Sequence, residues 1–129
     1  MSTETTASVS THILDTSVGR PAEGVAVSLS ARGGQGAPWT ALGGSATDAD
    51  GRCKDLPALP EGTTHVRLDF ETEAYFDKKQ AEAQQDAPRV RDSGAFFPEV
   101  AITFAVVPGE HFHVPLLLNP FGYSVYRGS

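Results

Sequence analysis

Two histidines one residue apart mark the first candidate site. His111 and His113 lie in the segment 110–118, which we predict to be a β-strand. Alternate residues of a strand project from the same face, so both imidazoles are expected on one surface. An imidazole in general changes its charge near neutral pH, and a protonated imidazole opposes protonation of a neighbouring one. The pair therefore suits proton transfer or metal binding, and the structural alternative is two exposed or individually hydrogen-bonded histidines.

Two hydrolytic schemes follow from these histidines. In the first, His12 completes a set of three imidazoles, which with a water molecule would form a catalytic zinc centre. In the second, no metal is needed, because one histidine acts as a general base on water and a cation holds the developing oxyanion. Arg52 suits the second scheme, since it directly follows the tight turn predicted at residues 48–51 and its guanidinium binds planar groups through two hydrogen bonds. Residue types and spacing leave both schemes open.

Other side chains carry weaker signals. Cys53 follows an arginine that could lower the pKa of its thiol, but buried structural cysteine is the commoner case. His65 stands in no motif, and the sequence contains neither a nucleophile elbow nor a phosphate-binding loop. The segment 119–129 stays aromatic almost to its end. It predicts an edge strand or a docked segment that faces a ligand.

The elements that must position these residues are mostly short strands. The chain has 129 residues and a mass of 13.6 kDa, the size of one domain. Residues 73–85 are rich in Ala, Glu, Gln and Lys and contain neither Gly nor Pro, so they predict a helix. Apolar and polar residues alternate elsewhere between turn signals, which predicts an all-β antiparallel sandwich. The predicted strands are residues 8–14, 24–31, 39–47, 63–72, 100–107, 110–118 and 121–126.

Charge and composition exclude several classes of partner. The net charge is −6 and the basic residues are interspersed with acidic ones, which argues against nucleic acid and against an anionic membrane surface. The most apolar runs are far shorter than the about 20 residues that span a bilayer. A single cysteine fits a reducing compartment, and residues 1–10 have no features of a secretory signal. We therefore expect a cytoplasmic protein.

Several motifs in a fixed order give the sequence a family resemblance. From about residue 8 to residue 129, the chain resembles the 5-hydroxyisourate hydrolases, the transthyretin-related enzymes of purine catabolism. The terminal YRGS is the most specific motif, because hormone-carrying transthyretins lack it. The matching motifs are residues 10–15 (STHILD), 19–22 (GRPA), 47–52 (TDADGR), 111–118 (HFHVPLLL) and 126–129 (YRGS).

The resemblance implies a fold, an assembly and a site. The implied fold is a transthyretin-like sandwich of two four-stranded sheets with one short helix. The implied assembly is a homotetramer with two-fold symmetry and active sites in the channel between dimers. In this family the catalytic group uses neither metal nor cofactor, and it corresponds here to His12, Arg52 and His113. The substrate-binding residues that the resemblance implies are His111, Tyr126, Arg127 and Ser129.

The implied reaction is the hydrolytic opening of 5-hydroxyisourate to 2-oxo-4-hydroxy-4-carboxy-5-ureidoimidazoline in urate degradation. We expect His12 and His113 to position and deprotonate the water, while Arg52 binds the substrate and stabilises the oxyanion. Alternatives are a transthyretin-like protein that binds a small molecule without catalysis, a zinc hydrolase using the three histidines, and a β-sandwich interaction protein.

The expected hydrolase domain spans residues 8–129 and follows a disordered N-terminus at residues 1–7. It departs from the family at residues 81–95, where the family usually has only a few residues. This stretch is polar and contains Pro88 and Gly94, so we predict an inserted surface loop.

Overall fold

Two β-sheets and one helix make up the part of the chain that the computed structural model describes, residues 6–34, 36–83 and 95–128. The helix α1 (Thr72–Ala83) lies in the chain between strands β6 (His65–Phe70) and β7 (Val100–Ala105). The first sheet contains β1 (Ser8–Asp15), β2 (Arg20–Pro21), β5 (Arg52–Cys53), β8 (His111–Asn119) and β9 (Gly122–Val125). The second contains β3 (Ala26–Arg32), β4 (Thr40–Ala46), β6 (His65–Phe70) and β7 (Val100–Ala105).

The first sheet is organised around β1. Its whole length pairs with β8, and this pairing is parallel. The two-residue strands β2 and β5 both pair with β1 and therefore share its other edge, so the sheet is four strands wide. The second sheet has the order β4-β3-β6-β7, with every pairing antiparallel. The predicted sandwich with one helix is confirmed, but the prediction of antiparallel strands is wrong for β1 and β8, because the second sheet intervenes and serves as their crossover connection.

Period-2 alternation builds the core and leaves the opposite faces polar. In β6, Val66, Leu68 and Phe70 are fully buried, while the residues between them are half-buried. In β8, Leu116 and Leu118 are buried on the same side as Phe112 and Val114. Complete burial of such a side chain contributes about 1.5–3 kcal/mol to stability. Because alternate residues face opposite ways, the core packing of β8 forces His111 and His113 onto the outer face of the first sheet.

The helix lies close to its predicted position and closes one end of the first sheet. It begins at Thr72, whose hydroxyl donates a 2.5 Å hydrogen bond to the carbonyl oxygen of Phe97. Tyr75 and Phe76 are buried, and the Tyr75 hydroxyl donates to the buried carboxylate of Asp15 at 2.7 Å. Residues 81–83, expected in the inserted loop, continue the helix, and residues 84–94 of that loop lie outside the described residues.

The described chain begins inside the segment that the sequence suggested was disordered. The carbonyl oxygen of Thr6 accepts a 2.9 Å hydrogen bond from the amide of Gly109, and Ala7 is buried. These two residues therefore lie beside the start of β8, whereas residues 1–5 lie outside the described part, and the disordered N-terminus stays a prediction. Within the part described, no helix combines the length and the apolar character that crossing a bilayer requires.

Candidate active site

A chain of hydrogen bonds links serines of β1 to histidines of β8. The parallel register places Ser8 opposite His111 and Ser10 opposite His113. Ser8 Oγ lies 2.7 Å from His111 Nδ1. Ser10 Oγ lies 2.8 Å from both His111 Nε2 and His113 Nδ1, so it bridges the two rings. Sequence analysis did not identify either serine as functional. The available signal was the strand alternation, because Ser8, Ser10 and His12 are two residues apart and therefore lie on the same face of β1.

The structure brings together the three residues expected to be catalytic. His12 is the next outward-facing residue of β1 after Ser10, and its ring centroid lies 6.5 Å from that of His113, with the rings 29° from parallel. Arg52 of β5 is the direct register partner of His12 across the antiparallel pair. The three side chains thus come from three neighbouring strands and share one face of the sheet. This juxtaposition of two imidazoles and a guanidinium suits activation of water beside a stabilised oxyanion.

A tight turn fixes the position of Arg52. The carboxylate of Asp48 accepts hydrogen bonds from the backbone amides of Asp50 at 2.9 Å and of Arg52 at 3.0 Å. The pKa of Asp48 is lowered, chiefly by the hydrogen bond from the Arg52 amide, and the carboxylate therefore stays ionised. Gly51 has a φ of 76°, and a Cβ atom there would collide with the carbonyl oxygen of Ile13. The Ile13 amide in turn donates to the Gly51 carbonyl at 2.7 Å, which fastens the turn to β1.

Electrostatics favour a neutral His113. Partial burial lowers the pKa of His113 below its usual value of 6.5, and positive charge on His12, Arg52 and His111 lowers it further. A neutral imidazole has one donor and one acceptor nitrogen. In the part of the chain described here, Nδ1 of His113 contacts Ser10 and Nε2 has no hydrogen bond. A neutral ring with one unbonded nitrogen can accept a proton from water at neutral pH.

An open cavity of about 330 Å³ lies beside these residues. Its volume falls at the lower end of small-molecule sites, which span about 300–1,000 Å³. Lys54, which sequence analysis did not select, adds a second cation, because it follows Arg52 at a strand spacing of two. The lining residues are Ser10, Thr11, Arg52, Cys53, Lys54, His111 and His113.

Cys53 lines the cavity but is not prepared to act as a nucleophile. Its side chain is fully buried. Burial raises the pKa of the thiol, and the nearby carboxylates of Asp55 and Asp48 raise it as well, against a hydrogen bond with Ser45 that lowers it. The protonated thiol is therefore the stable form, which agrees with a buried structural cysteine and not with activation by the preceding arginine.

The end of the chain packs against the histidine site through its backbone. The amide of Gly128 donates a 2.8 Å hydrogen bond to the carbonyl oxygen of His113. A Cβ atom at this glycine would lie 2.9 Å from His113 Cδ2 and 3.2 Å from a side-chain carbon of Pro115. Glycine is therefore the residue that allows this close approach. Ser129, expected to bind substrate, lies outside the described residues.

Two other expected substrate contacts lie away from the histidines within this chain. Arg127 forms a 3.1 Å ion pair with Glu110 and stacks over the Phe112 ring at 4.6 Å. Tyr126 is 57% exposed. Both residues line a second, largely apolar cavity of about 230 Å³, because Phe112 faces the core side of β8 while His113 faces outward. Its other lining residues are Ile102, Phe104, Ala105, Phe112, Val114 and Val125. Of the three expected substrate-binding residues that the structure describes, His111 lines the cavity beside Arg52, and Tyr126 and Arg127 do not.

Hydrogen bonds to serines occupy some of the nitrogen atoms that could bind a metal. Both ring nitrogens of His111 contact serine hydroxyls, as does Nδ1 of His113. A zinc ion bound by His12, His111 and His113 would have to displace a serine hydrogen bond at His111, whereas Nε2 of His113 has no hydrogen bond among the described residues. Among the described residues, no group of three or more His, Cys, Asp or Glu side chains is arranged to hold a metal ion. The donor set thus fits the metal-free scheme better than the zinc scheme.

A model of the HIUase/transthyretin family matches residues 9–128 of this chain. The chain belongs to this family. A protein named 5-hydroxyisourate hydrolase from Salmonella dublin is 41% identical over 123 residues, which cover 94% of this chain and 80% of that protein. The family membership expected from the sequence motifs is confirmed.

Solved structures of this family share the fold. A 5-hydroxyisourate hydrolase from Klebsiella pneumoniae is 38% identical with a TM-score of 0.66, and the match covers 95% of this chain and 94% of that one. A transthyretin from sea bream, solved in complex with thyroxine, is 27% identical with a TM-score of 0.70 and 93% coverage of both chains. The HIUase/transthyretin family thus includes both a hydrolase and a thyroxine-bound protein among the chains similar to this one.

Proposed function

We propose that this chain is a 5-hydroxyisourate hydrolase that acts in urate degradation. The relatives named above as hydrolases support the reaction, and the grouping of His12, Arg52 and His113 on neighbouring strands is the observation that carries it. The product is 2-oxo-4-hydroxy-4-carboxy-5-ureidoimidazoline, formed when water adds to a ring carbonyl and the ring C–N bond breaks.

We infer a role for each of the three residues, and the geometry supports it as follows. His113 is the general base, because its lowered pKa keeps the ring neutral and its Nε2 atom is unbonded among the described residues. His12 orients the water from the adjacent strand, 6.5 Å away between ring centroids. Arg52 binds the carbonyl oxygen and stabilises the negative charge that develops on it. Removal of a single donor of this kind typically costs about 10²–10³ in kcat.

The assembly proposed is a homotetramer with its active sites between dimers, as the family resemblance implies. Within one chain Tyr126 and Arg127 line a cavity other than that of the histidines, so their contact with substrate requires a contribution from another copy or a rearrangement. Sedimentation equilibrium is expected to give four times the chain mass of 13.6 kDa. We also propose a cytoplasmic location, supported by the single, buried cysteine, which cell fractionation would test.

The activity is tested with EDTA-treated protein and 5-hydroxyisourate generated in place from urate and uricase. The ultraviolet decay of the substrate is expected to exceed the spontaneous rate clearly, and Arg52→Gln is expected to remove most of that excess. If the EDTA-treated protein gives only the spontaneous rate and added zinc restores the acceleration, the result would instead support the zinc scheme. No acceleration under either condition would refute the enzyme.

The second candidate is binding of a small molecule without catalysis. The thyroxine complex of the sea bream relative favours it. Calorimetric titration with thyroxine, run beside the decay assay, distinguishes the two: binding without acceleration supports a carrier, and acceleration without binding supports the hydrolase.

A further inference from the structure

The Ser10 hydroxyl lies between two imidazoles. Its oxygen is 2.8 Å from His111 Nε2 and 2.8 Å from His113 Nδ1, and the other nitrogen of His111 is 2.7 Å from Ser8 Oγ. The four side chains form an unbroken sequence of hydrogen bonds from the half-buried His113 to the exposed Ser8. A single hydrogen bond would be enough to hold the His113 ring in place, so this continuous series suggests a further role.

A hydroxyl has one proton, so the direction of this chain decides which nitrogen of His113 is basic. If Ser10 donates to His111, it accepts from Nδ1–H of His113, and Nε2 of His113 carries the lone pair. If Ser10 donates to His113, then Nε2 of His113 carries the proton and cannot act as a base. Both directions satisfy the same number of hydrogen bonds, so reversal requires no loss of bonding.

We propose that Ser10 and His111 are positioning residues that set the tautomer of His113 and carry its proton towards solvent during hydrolysis. This inference rests on the proposed function and extends it to side chains outside the catalytic group of His12, Arg52 and His113. It requires no metal, cofactor or additional reactant.

The proton movements balance along the chain. The attacking water loses a proton to His113 Nε2 as its oxygen forms the new bond to the ring carbonyl. Nδ1 of His113 then passes its proton to Ser10 Oγ, while the original Ser10 proton moves to His111 Nε2. His111 releases its Nδ1 proton through Ser8 to solvent, and the leaving ring nitrogen takes a proton from solvent when the C–N bond breaks. A proton from solvent then returns through Ser8, His111 and Ser10 to His113 Nδ1, and the Nε2 proton leaves to solvent, which resets the chain.

The charges around His113 favour removal of this proton. The titratable and charged groups facing it are His12 on β1, His111 on β8, and Arg52 and Lys54 at β5. Each is cationic or becomes cationic on protonation, so an imidazolium retained at His113 would be repelled by groups on β1, on β8 and beside β5. A route to the exposed Ser8 relieves that repulsion.

The first test compares variants of Ser10 in the decay assay. Ser10→Ala removes the bridge and is expected to lower kcat by about 10- to 100-fold, the usual effect of losing a partner that orients a functional histidine. Ser10→Thr keeps the hydroxyl and is expected to retain most of the activity. Ser28→Ala, a serine-to-alanine change on an exposed position of β3 in the other sheet, serves as the matched control with unchanged kcat. Equal activity of Ser10→Ala and the control would overturn the relay.

The second test determines whether more than one proton moves in the rate-limiting step. In mixtures of light and heavy water, kcat of the unaltered protein is expected to depend on the deuterium fraction along a curve, because more than one proton moves. His111→Phe preserves a ring but removes both nitrogens, and its dependence is expected to be linear. Linear behaviour of both proteins would overturn the proton-carrying role, since packing alone does not change this dependence.

The third test does not need catalysis. Nitrogen-15 NMR of the neutral, free protein is expected to show His113 protonated at Nδ1 and unprotonated at Nε2, with this preference lost in Ser10→Ala. The opposite tautomer in the unaltered protein would overturn the inference even if the hydrolase is active. If the hydrolase assay fails while this tautomer is found, the proposed function is wrong and the assignment of His113's tautomer to Ser10 stands.

Discussion

Gly128→Ala is expected to damage the site without unfolding the protein. The added Cβ would lie 2.9 Å from His113 Cδ2, whereas carbon atoms normally approach to about 3.5–4.0 Å. Either the ring or the terminal segment must therefore move by about 0.5–1 Å. The 2.8 Å contact of His113 Nδ1 with Ser10 and the 2.8 Å bond from the Gly128 amide cannot both survive such a shift.

Displacements of about 1 Å at a reacting group can cost up to about 100-fold in rate, so we expect kcat of Gly128→Ala to fall about 10- to 100-fold. The decay assay measures this loss. Gly122→Ala is the matched control, because a Cβ there would meet no atom within 4 Å and the residue lies in the adjoining strand β9. Thermal unfolding should show both variants folded. A Gly128→Ala protein as active as Gly122→Ala would refute the role of this close approach.

Three further predictions concern charge and the turn. Because positive charge on His12 lowers the pKa of His113, His12→Gln is expected to move that pKa upward toward 6.5, as measured by NMR titration; an unchanged or lower pKa would contradict the electrostatic assignment. With its pKa below 6.5 in the folded state, His113 binds a proton more readily when unfolded, so its contribution to the free energy of unfolding is full above pH 6.5 and decreases as the pH falls below it. Gly51→Ala combines a positive φ with a collision against Ile13 and should destabilise by more than the about 1–3 kcal/mol that a strained conformation costs, measured by urea denaturation. Gly62→Ala, also at positive φ but with no atom within 4 Å of the added Cβ, should cost less, and equal losses would show that the collision contributes nothing.

Local patterns predicted most of the elements and the positions of the β8 histidines and Arg52, whereas the family resemblance selected His12, Arg52 and His113 as one group. Alternation along β8 placed both its histidines on one face, and the Asp-Gly turn placed Arg52 at the start of a strand. The helix predicted at residues 73–85 is found at Thr72–Ala83; its start differs by one residue, within the usual uncertainty of helix ends, and residues 84 and 85 lie outside the described residues. These features depend on residues that are close together in the chain, so they can be predicted from the local sequence.

Long-range register determined what the sequence did not reveal. The contacts of Ser8 and Ser10 with the rings depend on the parallel pairing of β1 with β8, and no local pattern specifies that pairing. The orientation of Arg127 toward Phe112 depends on how the segment after β9 crosses the edge of β8. Motif matching selected Tyr126 and Arg127 as substrate contacts, but it does not indicate the cavity that each side chain faces.

The parallel pairing of β1 with β8 also has a consequence for folding kinetics. Nearly the whole chain lies between these strands, so the catalytic constellation forms only after a very long loop has closed. Contacts of high sequence separation slow folding, and β-rich domains of this kind fold in about milliseconds to seconds. Enzymatic activity regained during refolding would therefore report one late event, the meeting of the two ends of the chain, and fluorescence from earlier collapse would precede it.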